Sequence, residues 1–266
     1  MADGNIITAL MLGDVCGQPG MRALFTGLGQ LIKDYHSDFV IVNGENAAAG
    51  FGLNEEQKRQ LYTLGVDVIT SGNHIWQQED LTQSLINDPN LLRPLNYAPK
   101  VIGHGTTVVE KKGKKIAVMN LQGRVTLPAT DCPFRIGAEA VRDLKKKTHV
   151  ILVDFHAESP EEKKSLAFYL DGSVSAVVGT HTHVQTADEL ILPQGTGYIT
   201  DLGLCGPSES VIGSDPAISI EKQKTQMPLR TKIADSAPMI CGVCLKINSA
   251  TGKCISIERI KRKFSF

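Results

Sequence analysis

The segment Val177-Val178-Gly179-Thr180-His181-Thr182-His183 sets the terms on which the rest of the chain reads. Its first half is apolar and β-branched, as in a buried strand, and its second half puts two imidazoles one residue apart where that strand should end. On a strand, residues i and i+2 point to one face, so His181 and His183 are expected to reach a common centre. That is a metal-ligand spacing. A parallel α/β sheet places its ligand crevice at the carboxyl ends of its strands.

Four more apolar runs end in the same manner. Residues 7–12 lead into Gly13-Asp14, 39–42 into Asn43-Gly44-Glu45-Asn46, 66–69 into Ser71-Gly72-Asn73-His74, and 150–153 into Asp154-Phe155-His156. Taken singly, Asp14, Asn46 and Asn73 read as readily as helix caps, and each histidine as a satisfied core residue. Taken together, Asp14, Glu45, Asn46, Asn73, His156, His181 and His183 share a position at strand ends that capping and packing do not explain. Mixed carboxylate, amide and imidazole donors suit a pair of first-row transition ions better than magnesium or calcium. A shared carboxylate allows two cations to sit about 3.5–4 Å apart, and Glu45 is the candidate bridge.

The intervening segments supply the scaffold. Met21, Leu24, Leu28, Leu31 and Ile32 recur at helical spacing, which predicts a helix ending near Tyr35. Asn54 is a candidate N-cap before Glu55-Glu56-Gln57, and a third helix is expected over 77–86. Three successive βα units predict a parallel sheet with right-handed crossovers. A hairpin follows around Lys111-Lys112-Gly113-Lys114-Lys115, a basic run that reads as a solvated turn. Helices are expected over 136–146, 161–170 and 215–226. Antiparallel strands within 188–201, and the hairpin 241–248 with 253–260, are expected to join the earlier hairpin as a second layer against the parallel sheet. No linker divides the chain, so one domain over 1–266 is expected.

Composition limits the partners. The 28 basic and 28 acidic residues cancel, so no overall field favours nucleic acid or an anionic membrane. A small anionic substrate stays compatible, because a metal pair supplies its own positive charge. The six cysteines read as reduced thiols, and no apolar run approaches the ~20 residues of a membrane span. A cytoplasmic location is the expectation.

In order, Gly13-Asp14, Gly44-Glu45-Asn46, Gly72-Asn73-His74, His156 and Gly179-Thr180-His181-Thr182-His183 resemble the calcineurin-like metallophosphoesterase superfamily. The fuller strings Leu12-Gly13-Asp14-Val15, Asn43-Gly44-Glu45-Asn46-Ala47, Thr70-Ser71-Gly72-Asn73-His74 and Val178-Gly179-Thr180-His181-Thr182-His183 resemble its bacterial YmdB-like phosphodiesterases, and the likeness spans nearly the whole chain. The resemblance implies an α/β layered sandwich of two mixed β-sheets flanked by helices. It implies a phosphodiesterase that opens 2′,3′-cyclic nucleotides to 3′-nucleotides. It also implies two transition-metal ions per chain, iron foremost, with manganese or zinc as alternatives. Asp14, Glu45, Asn46 and His183 would hold one ion, and Glu45, Asn73, His156 and His181 the other. Hydroxide bridging the ions would attack phosphorus, and His74, not needed as a ligand, would protonate the leaving oxygen.

Two departures from the superfamily pattern are shared with the YmdB-like branch. Asp14-x-Cys16 replaces the usual Asp-x-His, and Glu45 replaces the usual bridging Asp. Either Asn46 or a deprotonated Cys16 then completes the first shell, with Asn46 preferred because Cys16 reads as a small buried residue. The expected partner is a small phosphodiester. Alternatives are a phosphomonoesterase using Arg124 and Arg135 for the second phosphate charge, and a regulatory metalloprotein that binds RNA or a protein.

Overall fold

Strand β1 (Ile6–Val15) is apolar along nearly its whole length because both of its faces are covered. Ile7, Ala9 and Met11 face one apolar cluster, while Leu10 and Leu12 face another, following the two-residue alternation of a strand. In the computed structural model, which describes residues 5–264, this strand is central to the first of two six-stranded sheets.

The first sheet joins β1 to β2 (Phe39–Asn43), β3 (Val68–Thr70), β10 (Leu204–Pro207), β11 (Pro238–Asn248) and β12 (Cys254–Lys263), in the order β12-β11-β10-β1-β2-β3. The pairs β1–β2, β2–β3 and β1–β10 are parallel, and β1–β11 is antiparallel. The second sheet has the order β4-β5-β6-β7-β9-β8, from β4 (Thr106–Lys111), β5 (Lys114–Gln122), β6 (Ile151–His156), β7 (Ala176–Thr180), β8 (Leu190–Ile191) and β9 (Gly197–Ile199). Its four central strands, β5, β6, β7 and β9, run parallel.

The sheets pack face to face through Ile7, Met11 and Phe39 on one side and Val118, Leu152 and Val178 on the other. Helix α1 (Gly17–Tyr35) covers the outer face of the first sheet with Leu24, Leu28 and Leu31, and α2 (Glu55–Thr63) adds Leu61 to that cluster. Val141 of α4 (Pro133–Leu144) and Leu166 of α5 (Pro160–Tyr169) cover the second sheet. At ~25 cal/mol per Å² of apolar area, these three clusters supply the main stabilising term. Asn54 caps α2 as expected, its side chain accepting from Gln57 N at 2.9 Å.

Two expectations are corrected. The helix expected over 77–86 is broken into 3-10 turns, Ile75–Gln77 and Glu79–Leu81, before the short α3 (Thr82–Asn87). Gln78 between them is extended, and its side-chain amide donates to Phe51 O at 2.9 Å, a tertiary contact that helical spacing does not anticipate. The strands that carry donors do not share one sheet. Those before Asp14, Glu45 and Asn73 lie in the first sheet and those before His156 and His181 in the second, while the hairpin β11–β12 extends the first sheet and not the second. A strand buried on both faces has the same apolar pattern in either layer, so only long-range pairing decides membership. The 215–226 expectation corresponds to α6 (Pro216–Thr225), capped by the Asp215 side chain. Residues 1–4 and 265–266 of the expected single domain lie outside the described residues. Among the described residues, no helix is long and apolar enough to cross a membrane.

Candidate active site

The loops that leave the carboxyl ends of β1, β2, β3, β6 and β7 converge on a cavity of about 320 Å³, bordered by Cys16, Glu45, Asn46, His74, His181 and His183. Glu45 is fully buried. Its backbone N–H is fixed by Asn43 Oδ1 at 3.1 Å, its Oε2 accepts from His74 N at 3.0 Å, and its Oε1 lies 3.0 Å from His156 Nε2. Asp14 is equally buried. Its Oδ2 accepts from His181 N at 3.2 Å, whereas its Oδ1 has no hydrogen-bond partner among the described residues and stands 3.8 Å from His183 Nε2.

Each histidine is tied down on the side away from this centre, and the ties assign its ring protons. Thr180 donates its hydroxyl to Asp154 Oδ1 at 2.7 Å, so Thr180 Oγ1 accepts from His156 Nδ1–H at 3.0 Å. Asp154 also takes the Thr70 hydroxyl and, at 3.2 Å, the Asn43 amide. His181 Nε2 is 3.1 Å from Glu158 Oε2, and His183 Nδ1–H donates to Ile212 O at 2.9 Å. The remaining nitrogens point inward. His156 Nε2 lies 3.1 Å from His181 Nδ1 and 3.3 Å from Asn73 Oδ1, and His183 Nε2 lies 2.9 Å from the Asn46 amide.

This arrangement fits a metal. One donor atom each from Glu45, His156 and His181 falls within 4.8 Å of the others, and such lone pairs repel unless a cation or a proton stands among them. Burial and the neighbouring His156 hold the His181 imidazolium down at about 3, so the ring is a neutral donor. Burial opposes the charge on Glu45, but His156 and His74 outweigh it and bring its carboxyl to about 2. His156 moves the other way, to about 9, as Glu45 and Asp14 overcome its burial. Burial pushes Asp14 up to about 6 against the pull of His183 and His156. Negative charge this deeply buried, with one carboxylate oxygen orphaned, calls for a positive partner.

The His181 and His183 pair reaches the centre by a different route from the one their spacing suggests. β7 ends at Thr180, and both histidines have positive φ, 100° and 64°. They therefore sit on a bend, in backbone conformations that cost non-glycine residues energy. His181 turns toward Glu45 and His156, and His183 toward Asp14 and Asn46. Glycine makes room elsewhere, since a Cβ at Gly72 would fall on the His156 ring and one at Gly179 on Thr200 O.

Asn46 stands between two imidazoles, its Oδ1 2.9 Å from His74 Nδ1 and its amide on His183. Cys16 borders the cavity too, but burial, reinforced by Asp14, pushes its thiol up to about 12. Neither Arg124 nor Arg135 borders the cavity. Arg124 is held by Glu162 through its backbone and Arg135 pairs with Glu139 at 3.3 Å.

Sequence reading missed the supports of this centre. Asp154 lies two residues before His156 on β6, and the two-residue period gives it the same face, so that signal was present. Lys163, buried on α5 and paired with buried Asp201 at 2.6 Å, occupies the apolar stripe with Leu166 and Ala167, which is a weaker signal. Glu158 follows β6 in a loop and had none.

The chain matches the family model described as YmdB-like protein over residues 10–260. It is 45% identical over 251 residues to the 2′,3′-cyclic-nucleotide 2′-phosphodiesterase of Bacillus subtilis (strain 168), covering 94% of this chain and 95% of that protein. Among solved structures, a novel phosphatase from Mycoplasma pneumoniae superposes with a TM-score of 0.91 at 38% identity, covering 97% of this chain and 94% of that one. A hypothetical protein from Thermus thermophilus gives a TM-score of 0.89 at 35% identity, covering 97% of this chain and 100% of that one.

Proposed function

The chain belongs to the YmdB-like protein family, and on that footing we propose that it is a metal-dependent phosphodiesterase that hydrolyses 2′,3′-cyclic nucleotides to 3′-nucleotides. The observation that carries this reading is the inward convergence of donor atoms from both sheets, each histidine anchored on its far side. Asp14, Glu45, Asn46 and His183 would hold one ion, and Glu45, Asn73, His156 and His181 a second, with iron, manganese or zinc all compatible with these donors. When bound, such ions acidify water near neutral pH and offset the charge on the phosphoryl oxygens.

The chain's own residues do the rest. Glu45 lies between the donor groups, its Oε1 3.0 Å from His156 Nε2 and 3.5 Å from the Asn46 amide. The Asp154–Thr180–His156 and Glu158–His181 contacts keep a proton on the outer nitrogen of two rings, so the inner nitrogen is the one offered to a metal in place of its proton. His74 sits on the cavity wall with Nδ1–H donating to Asn46 Oδ1, so Nε2 carries a transferable proton only in the imidazolium. Burial pulls that form's pKa below the free value, and Glu45, 3.5 Å away, works against the burial. Phe51 packs edge-on against the His74 ring, with centroids 5.2 Å apart, and limits its rotation. As a water oxygen adds to phosphorus and the bond from phosphorus to O2′ breaks, the His74 imidazolium gives O2′ its proton, and the phosphate stays on O3′.

His74→Ala tests this. Metal content should be unchanged, and turnover of 2′,3′-cyclic AMP should fall by about 10²–10⁴-fold. Bis(p-nitrophenyl) phosphate, whose leaving group needs no proton, should be affected far less. Equal losses on both substrates would remove His74 from the acid role, and unchanged turnover on the cyclic substrate would do the same.

A further inference from the structure

Two more cavities, each of about 790 Å³, lie beside the candidate site along α1. The nearer shares Thr231 and Ile233 with the site cavity, and shares Gln18 and Arg22 with the farther one. The three thus adjoin one another in a row, which we read as one groove. Its middle section is bordered by Arg22, Arg230 and Lys232 against a single carboxylate, Asp235, which pairs with Arg22 at 2.8 Å. Arg230 and Lys232 have no carboxylate partner among the described residues, and both are exposed on the border of this cavity. The far section adds Arg59 and the exposed ring of Phe25, and the exposed ring of Phe51 borders the site itself.

The cationic wall is held in place. Lys232 O accepts from Asp215 N at 2.8 Å, Ala234 N donates to Gly213 O at 3.0 Å, and Ile233 fills the space beside Gly17 and Gly50. Lys232 and Ile233 therefore lie along a fixed edge of the groove, with Thr231 and Arg230 leading into it. The whole chain has no net charge, so these cations are a local feature and not a sample of a general field.

A site cavity of about 320 Å³ lies at the small end of the ~300–1,000 Å³ range for ligand pockets, enough for about one nucleotide. Cations tracking a groove with interspersed aromatic rings match a single-stranded nucleic acid, with its phosphates on the former and its bases on the latter. The cyclic phosphodiester of the proposed reaction requires a 2′-hydroxyl, so the strand is RNA.

We propose, building on the phosphodiesterase reading above, that the groove past Thr231 binds the upstream nucleotides of a single-stranded RNA whose 3′ end carries a 2′,3′-cyclic phosphate in the candidate site. Arg230, Lys232 and Arg22 take the upstream phosphates, and Phe25 offers a stacking surface. Hydrolysis adds water across the bond between phosphorus and O2′. O2′ receives the proton, and the strand is left with a 3′-phosphate.

The test compares the manganese-loaded wild type, R230Q/K232Q and R230E/K232E on 2′,3′-cyclic AMP and on a short oligoadenylate ending in a 2′,3′-cyclic phosphate. Anisotropy of the 5′-labelled oligomer gives a binding readout that does not need turnover. The wild type is expected to prefer the oligomer in KM, and R230Q/K232Q to raise that KM while leaving kcat and the mononucleotide unchanged. Two lost phosphate contacts should flatten the salt dependence of oligomer binding by about sevenfold between roughly 50 and 200 mM salt. R230E/K232E should weaken binding further. Equal oligomer binding and KM in all three proteins, with the mononucleotide still hydrolysed, overturns the groove and spares the phosphodiesterase reading. Charge-dependent oligomer binding without turnover of either substrate does the reverse.

Discussion

His156 shows how much of the site is decided atom by atom. Its ring is fully buried, its Nδ1–H is spent on Thr180, and its Nε2 faces Glu45, His181 and Asn73. The sequence identified the imidazole but could not say which nitrogen faces inward, because the tautomer is set by Thr180, which arrives from the adjacent strand and is itself oriented by Asp154. Glu158 plays the corresponding part for His181 from a half-exposed loop position. Glu158→Ala should weaken metal binding by about 10–100-fold, the usual effect of removing a group that orients a ligand. Glu158→Gln, which keeps an acceptor oxygen, should recover most of it. Titration calorimetry with manganese reads both, and equal affinity in Glu158→Ala and wild type would show that the contact has no orienting role.

Among the elements, the bend after β7 depends on a support that the local sequence does not contain. Lys163 of α5 and Asp201 form a buried pair at 2.6 Å, and Asp201 also accepts from Thr182 N at 3.2 Å and Gly203 N at 2.8 Å. One carboxylate thus anchors the peptide between His181 and His183 while they hold positive φ. Lys163→Met would leave that carboxylate buried without its counter-charge, at a cost of about 3–5 kcal/mol in urea unfolding. Adding Asp201→Asn should cost less than the sum of the two single changes, because the charge goes with its partner. Strict additivity would mean that the two residues act independently. Most helices and hairpins were legible, since apolar periodicity is local. The break in the helix expected over 77–86 was not, because the Gln78 contact to Phe51 O comes from outside the segment.

Across the whole molecule, the candidate donors come from both sheets, Asp14, Glu45, Asn46 and Asn73 at or just past strand ends of one, and His156, His181 and His183 at or just past strand ends of the other. On the proposed ligand set, a bound ion would join the two layers and so stabilise the fold. With free metal at about a hundredfold over its Kd, the gain is about 2.7 kcal/mol, roughly 5 °C or more in Tm. Removing metal with a chelator should lower Tm by that order, and adding manganese back should restore it in a dose-dependent way. A single transition in each state would accord with one cooperative domain. A Tm indifferent to metal would argue against ligands shared between the layers.

The α/β character, the order of the donors and their place at strand ends were all written in the order of the amino acids. Each follows from patterns within about a dozen residues: apolar runs, glycines, caps and the residue that ends each run. Packing in three dimensions was needed to settle which sheet each strand joined, that His181 and His183 meet the centre from a bend in place of a strand face, and that Asp154, Glu158 and Lys163 stand behind them. Those outcomes depend on contacts between distant parts of the chain, such as Lys163 with Asp201 or Asn43 with Asp154, and a buried strand carries no local mark of its neighbours.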